Sequence, residues 1–312
     1  MKLPKIGKRM IPLAALAIAV PLAFPLTTAF ATVSSAPLAP QRMILDLTGW
    51  DDQTTTLTET DLQHIPLPAA AVNIGPGSHL LITMAGGTYG CTANFVWNGG
   101  GKSYLGAAGH CYLPEGKTAT HGPGADYNPA GTSVRVCISG CSFGGETGFI
   151  ITGTTVTLGP VAYARQTEGG ADVGHDFGIV EIPTSQASRI RPSMPVWGGP
   201  IGTELVTLGK PLCHYGNGVG VGEVYPTMGR MGVGMSGGSG ISFQMDSAAA
   251  PGDSGSAVNA CGTDSGGVHG KGAVGVLTHL GVGLGFVLGT TVSQAASMAT
   301  QAGLSITIVN GS

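Results

Sequence analysis

Short β-rich runs cut apart by glycine constrain this chain more than any other feature. Seven lie in the first half: His79–Met84, Cys91–Trp97, Ser103–Ala107, Thr132–Cys137, Gly148–Thr152, Val156–Ala164 and Asp176–Ile182. Past Arg189-Ile190-Arg191-Pro192 come Glu204–Leu208, Gly220–Val224, Gly240–Met245, Ser256–Val258, Ala273–Thr278 and Gly285–Leu288. Gly, Asn or Pro bounds most of them, and 54 glycines supply turns at positive φ without a Cβ penalty. Only Ser293–Ala302 has a helical pattern. Many short strands at regular spacing predict an all-β sandwich or barrel with a short C-terminal helix. A hydrophobic content of 42% argues against a disordered glycine-rich chain. Met228–Met235, with glycine at every second or third place, reads as a surface loop near the active face.

The amino terminus reads as an export signal. Lys2, Lys5, Lys8 and Arg9 precede an uncharged apolar run, Met10–Phe24, and Ala29-Phe30-Ala31 offers a cleavage site. Prolines 12, 21 and 25 break the run, which favours a cleaved signal over a membrane anchor. Residues 1–31 are therefore expected to be a signal peptide, 32–77 a propeptide or N-terminal arm, and 78–312 the folded domain of a secreted, extracellular protein. No membrane partner is expected once the signal is gone. Its removal leaves ten basic against 17 acidic residues, a formal charge of −7. A mildly acidic surface without basic runs argues against nucleic acid as a partner. Six cysteines in an exported chain imply three disulfides, with fifteen possible pairings. Cys137 and Cys141 are close in sequence and suit a small covalent loop. No second ligand pair accompanies Cys213-His214 at a finger-like spacing, so no metal is expected.

Three short words carry chemistry: Ala107-Ala108-Gly109-His110-Cys111, His175-Asp176-Phe177-Gly178-Ile179-Val180, and Pro251-Gly252-Asp253-Ser254-Gly255-Ser256. A serine hydroxyl needs a neighbouring base, and the base needs an orienting partner. Asp176 enters an apolar run, where a carboxylate is costly unless paired, and the imidazole of His110 suits that need. Asp172 lacks such a run. With the order His, Asp, Ser, these words resemble the chymotrypsin-like serine proteases over about residues 79–303. The absence of an I-V-G-G start makes the chain more similar to the bacterial streptogrisin and α-lytic branch.

The resemblance implies two antiparallel Greek-key β-barrels, the first over about 78–190 and the second over about 191–292, with the helix at about 293–303. It implies a monomeric endopeptidase acting on polypeptide without a cofactor. Ser254 would attack, His110 would move the proton, Asp176 would orient His110, and the N–H groups of Gly252 and Ser254 would bind the oxyanion. It joins Cys91 to Cys111, which leaves Cys213 and Cys261 as a pair, and it pairs Asp253 with an internal cation, for which Lys210, Arg230 and Arg165 are candidates.

Thr263-Asp264-Ser265-Gly266-Gly267 is a decoy. Ser254 is preferred because Gly252 precedes it by two places, Ser256-Ala257-Val258 begins a strand, and a hairpin still fits before Ala273–Thr278. Ser256 departs from the second glycine of the usual G-D-S-G-G, and the His110–Asp176 interval is long for that branch. The substrate pocket is assigned to Ala248, Thr278 and His279. An alanine floor favours an apolar or small side chain, although a histidine there would suit an acidic one. The alternative is a catalytically silent binding protein on a protease fold. An esterase of the α/β-hydrolase kind would need the order Ser, Asp, His and a G-x-S-x-G turn.

Overall fold

The computed structural model describes residues 26–28 and 73–311, apart from 86, 139–140, 144–148, 152–153, 168–172, 219–227, 237–239, 265–266 and 282–285. Side chains alternate across a strand, so a strand between two cores can serve both. β11 (Phe177–Ile182) does so. Val180 and Ile182 enter one buried cluster and Phe177 and Ile179 enter another.

The first half builds two sheets around one core. Among the strands are β2 (His79–Met84), β3 (Gly87–Thr92), β4 (Val96–Gly99), β5 (Lys102–Ala107), β6 (Ser133–Cys137), β9 (Thr155–Thr157) and β10 (Val161–Arg165). One sheet runs β3-β2-β6-β9, and the other runs β10-β11-β5-β4 and ends on β19 (Thr307–Ile308). Leu80, Ile82, Val134 and Val136 of the first meet Val96, Leu105, Val161 and Val180 of the second. A hairpin of β7 (Cys141–Phe143) and β8 (Phe149–Ile151) lies between β6 and β9, in the long interval before Asp176. Gly159 and Pro160 split the run expected over Val156–Ala164 into β9 and β10.

The second half closes on itself. Its strands are β13 (Pro211–Tyr215), β14 (Gly229–Ser236), β15 (Ser242–Asp246), β16 (Ala257–Asp264), β17 (Gly267–Gly281) and β18 (Phe286–Thr291). The ladder β17-β16-β13-β14-β15-β18 returns to β17, giving a six-stranded antiparallel barrel. Leu212, Phe243, Met245, Val258, Val274, Leu277 and Val287 fill it. The Phe243 ring occupies the space that side chains at Gly275 and Gly289 would need. The chain is thus all-β with two barrels and a short helix, α1 (Val292–Gln301).

Four elements differ from expectation. Met228–Met235 is no loop: residues 229–236 form β14, in the middle of the second barrel. Its glycines serve close packing, since a Cβ on Gly232 would meet the Asp246 carbonyl and one on Gly234 the Thr207 carbonyl. Residues 204–208 are not a strand; only β12 (Gly202–Thr203) pairs there, in parallel with β17. Two pairing strands had no strong sequence pattern, β13 and the C-terminal β19. The run expected over 220–224 lies outside the described residues.

A third cluster joins the halves. Phe95, Trp97, Tyr163 and Phe177 meet Tyr215, Ala257 and Val276, with Ala295, Met298 and Ala299 of α1 packed onto them. Thr291 caps α1 by accepting the N–H of Gln294 through its hydroxyl. Among the described residues no helix is long and apolar enough to cross a membrane. A short strand, β1 (Leu26–Thr28), lies antiparallel on the outer edge of β17 opposite His279–Gly281.

Candidate active site

β5 and β11 run side by side, with Ala107 opposite Gly178. That register brings the residues just past β5 next to those just before β11. His110 sits in the 3-10 turn Gly109–Tyr112 that follows β5, and Asp176 immediately precedes β11. Gly109 lets the turn pass close, because a Cβ there would strike the Arg165 carbonyl.

The two side chains meet. Asp176 Oδ2 lies 2.6 Å from His110 Nδ1, and Asp176 Oδ1 accepts the His110 backbone N–H at 2.9 Å. Both residues are 1% exposed. Burial pushes the Asp176 carboxyl up, but the neighbouring His110 charge and hydrogen bonds outweigh it and hold the carboxyl below its ordinary range. Thr290 of β18 fixes the aspartate from the second barrel. Its hydroxyl accepts the Asp176 N–H at 3.1 Å and donates between the carbonyls of Val173 (2.9 Å) and Asp176 (3.0 Å). Asp172 lies outside the described residues.

Ser254 occupies a turn held from several sides. Asp253 N–H donates to the Ala250 carbonyl, Ser256 N–H to the Asp253 carbonyl, and Gly255 N–H to the Leu277 carbonyl. Gly252 and Gly255 have φ of 99° and 94°, so glycines in the left-handed region bracket the serine. Thr92, at the end of β3, reaches this turn from the first barrel. Its N–H donates to the Ser254 carbonyl at 2.9 Å and its hydroxyl to the Gly252 carbonyl at 2.8 Å. The same hydroxyl accepts the Asn217 N–H at 2.9 Å. A Cβ on Gly255 would press on Ala107 and Ala108, the residues leading to His110. Cys91 and Cys111 form a disulfide, and Cys111 Sγ lies 3.8 Å from the Ser254 carbonyl oxygen. The Ser254 turn therefore rests against the strand end that leads to His110. Ser265 lies outside the described residues.

Of the three candidate cations, Arg230 on β14 meets Asp253. The contact is bidentate, Nη1 to Oδ2 at 2.5 Å and Nη2 to Oδ1 at 2.8 Å, with both side chains buried. Lys210 pairs instead with Glu204. Asp253 also accepts the N–H groups of Ala250 and Gly218, each at 2.7 Å. Burial raises its pKa, but the Arg230 guanidinium outweighs that and holds the carboxyl low. His214 sits beside the pair, its Nε2 3.1 Å from Ser247 Oγ and 3.2 Å from the Ala248 carbonyl oxygen. Burial and the Arg230 charge push it down to about 3.

The pocket residues fall into two groups. Ala248 is half-buried, and its carbonyl accepts from Arg230 Nη1 at 3.4 Å. Thr278 and His279 are buried on β17 and bonded to each other, Oγ1 to Nδ1 at 2.7 Å. Among the described residues no hydrogen bond links the two groups.

Cys213–Cys261 is a second disulfide, and Cys137 is also disulfide-bonded; the side chain of Cys141 lies outside the described residues. The ligand-type atoms of Cys91, His110 and Cys111 lie within 4.8 Å of one another, but both sulfurs are in the disulfide and offer no thiolate. Sequence reasoning missed Thr92 and Thr290. Both are threonines at or near the end of a strand, and their partners lie more than a hundred positions away.

No protein-family model matches the chain, and no curated protein does. Among solved structures it is similar to protease A of Thermobifida fusca, at 18% identity over 76% of this chain and 99% of that one, with a TM-score of 0.45. It is also similar to the protease Anisep of Arthrobacter nicotinovorans, at 15% identity over 75% and 98%, with a TM-score of 0.48. A third is Cellulomonas bogoriensis chymotrypsin, at 16% identity over 76% and 99%, with a TM-score of 0.41. The structures to which this chain is similar are thus those of chymotrypsin-like serine proteases.

Proposed function

We propose that the chain is a secreted serine endopeptidase that hydrolyses peptide bonds through an acyl-enzyme. The observation that carries the reading is the buried His110–Asp176 pair, with the Ser254 turn docked on the strand end beside it. Ser254 attacks the scissile carbonyl. His110 takes the proton and returns it to the leaving amine. Asp176 holds the imidazole in one tautomer and stabilises the imidazolium. The N–H groups of Gly252 and Ser254 bind the oxyanion, on a turn whose shape Arg230 and Asp253 maintain. No metal or organic cofactor takes part in these steps.

Polypeptide suits the edge of β17. That edge accepts β1 as an antiparallel strand opposite His279–Gly281, and a substrate backbone is held the same way. β1 belongs to the leader expected to leave after Ala31, so its departure opens the edge. The pocket, with Ala248 at its floor and Thr278 on its wall, takes a small or apolar side chain.

A fluorophosphonate probe on the mature protein tests the reading. Labelling is expected at Ser254 and is lost in Ser254→Ala. A folded mature protein that never labels is a binding protein on this fold. On a peptide panel, cleavage is expected after small or apolar residues, and cleavage mainly after Lys or Arg contradicts the pocket assignment.

A further inference from the structure

The chain enters β2 through a segment that touches both halves of the molecule. Residues 74–78 are buried, and Ile74 is 0% exposed in the core of the first half. Its N–H donates to the Arg189 carbonyl at 2.9 Å, and its own carbonyl accepts the Arg191 N–H at 3.0 Å. A Cβ on Gly75 would strike the Arg191 carbonyl, so the two stretches lie as close as glycine allows. Ser78 Oγ ties the segment to itself, donating to the Asn73 carbonyl and accepting the Gly75 N–H, each at 3.1 Å. Gly77 then turns at a φ of 81°, with its N–H on the Ala93 carbonyl, and a Cβ there would meet the Tyr215 ring of β13.

The second half takes the Gly77 carbonyl. Asn217 Nδ2 donates to it at 2.8 Å and has a longer contact with Thr92 Oγ1 at 3.3 Å. The backbone beside that amide forms a clamp. Asn217 N–H donates to Thr92 Oγ1 at 2.9 Å, and Gly218 N–H donates to Asp253 Oδ1 at 2.7 Å. Thr92 in turn donates to the Gly252 carbonyl at 2.8 Å. Residues 217 and 218 therefore hold Gly252 through Thr92 and Asp253 directly. A Cβ on Gly216 or Gly218 would strike the Asp253 carboxylate, so these glycines let the clamp close on it. The side chain of Asn217 fixes the clamp, and the entry segment is what it is fixed to.

We infer that Asn217 is a positioning residue for the Gly252–Ser254 turn, and that residues 73–77 stay in the active protein as its anchor. This rests on the endopeptidase reading, in which the N–H groups of Gly252 and Ser254 bind the oxyanion. Such donors act because they already point at the oxygen when charge develops, and a small displacement weakens them. The processing boundary expected at residue 77 then moves to before Ile74. A cut at 77 strips Ile74 from the core and leaves the Arg189 carbonyl, the Ala93 carbonyl and the Asn217 amide without these partners.

Two substitutions in the mature protein test the positioning role: Asn217→Ala, and Asn217→Asp, which keeps the shape but has no N–H to give the Gly77 carbonyl. In both, kcat falls about tenfold while KM stays within about twofold, as for one hydrogen bond felt mainly at the transition state. The rate of fluorophosphonate labelling at Ser254 falls in step with kcat/KM. Mass spectrometry of the active secreted form finds a first residue no later than Ile74. A lowered melting temperature with kcat unchanged makes Asn217 a stability residue only and overturns the proposal. Full activity in a form that starts after Ile74 overturns it as well. A wild type that never labels sinks the endopeptidase reading instead, and the first residue of that secreted chain still reports whether the entry segment is kept.

Discussion

Thr92 shows how much a single hydroxyl holds together. It donates to the Gly252 carbonyl and accepts from Asn217, so it fixes both the Gly252–Ser254 turn and the segment beside the Arg230–Asp253 pair. Thr92→Val keeps the shape and removes both bonds. A buried carbonyl and a half-buried N–H then lose their partner, and the carbonyl alone costs about 1–3 kcal/mol. Urea unfolding of the Ser254→Ala background, where self-digestion is absent, is expected to show that loss. In the active protein, kcat falls more than KM rises. His110, Asp176 and Ser254 were singled out in the sequence because each lies in a local word that makes chemical sense alone, and the structure pairs the first two. Thr92 and Thr290 were not, since a threonine on a β-strand has an ordinary explanation and its partner is set by tertiary docking.

Among the elements, β14 was the least legible. Glycine-rich segments signal turns, yet here the missing side chains let a central strand pass between Asp246 and Thr207. That strand delivers Arg230 to Asp253. The sequence offered three cations, and charge alone does not choose among them; strand pairing does, because Arg230 lies opposite His214 on β13, next to Gly216 and Gly218. Arg230→Ala leaves Asp253 buried and unpaired and is expected to cost about 3–5 kcal/mol, measured by denaturant unfolding. Arg230→Lys is expected to recover only part of this, because one ammonium does not replace two parallel N–H bonds to a carboxylate. Strand existence was readable along most of the chain. Strand ends were not, as at Gly159-Pro160, where one apolar run became two strands.

For the whole molecule, the all-β class followed from punctuation and period, whereas the two-barrel plan came only from the resemblance of the three words around His110, Asp176 and Ser254. The way the barrels close did not. The second is a continuous ladder, whereas the first is two sheets around a shared core. Burial of neutral histidines sets the acid response. His214 and His79 have folded values of about 3 and about 4, against an ordinary 6.5. The unfolded chain therefore binds more protons below pH 6.5, and stability falls as pH drops from there, by up to about 1.4 kcal/mol per unit for each ring until its folded value is reached. Asp176 and Asp253, with lowered folded values, add their own loss as pH falls through the carboxylate range. Thermal unfolding is expected to begin softening near pH 6.5 rather than near pH 4, and His214→Gln flattens part of that slope. The last residues of the chain have another consequence. Residues 307 and 308 pair with Asn98 and Trp97, and Ile306 enters the cluster between the barrels. The edge of β4 stays bare until the carboxyl end arrives, so the half that is made first is completed last. Until residues 307 and 308 have been made, the first half keeps an open, sticky seam, and a variant lacking those two residues would expose it.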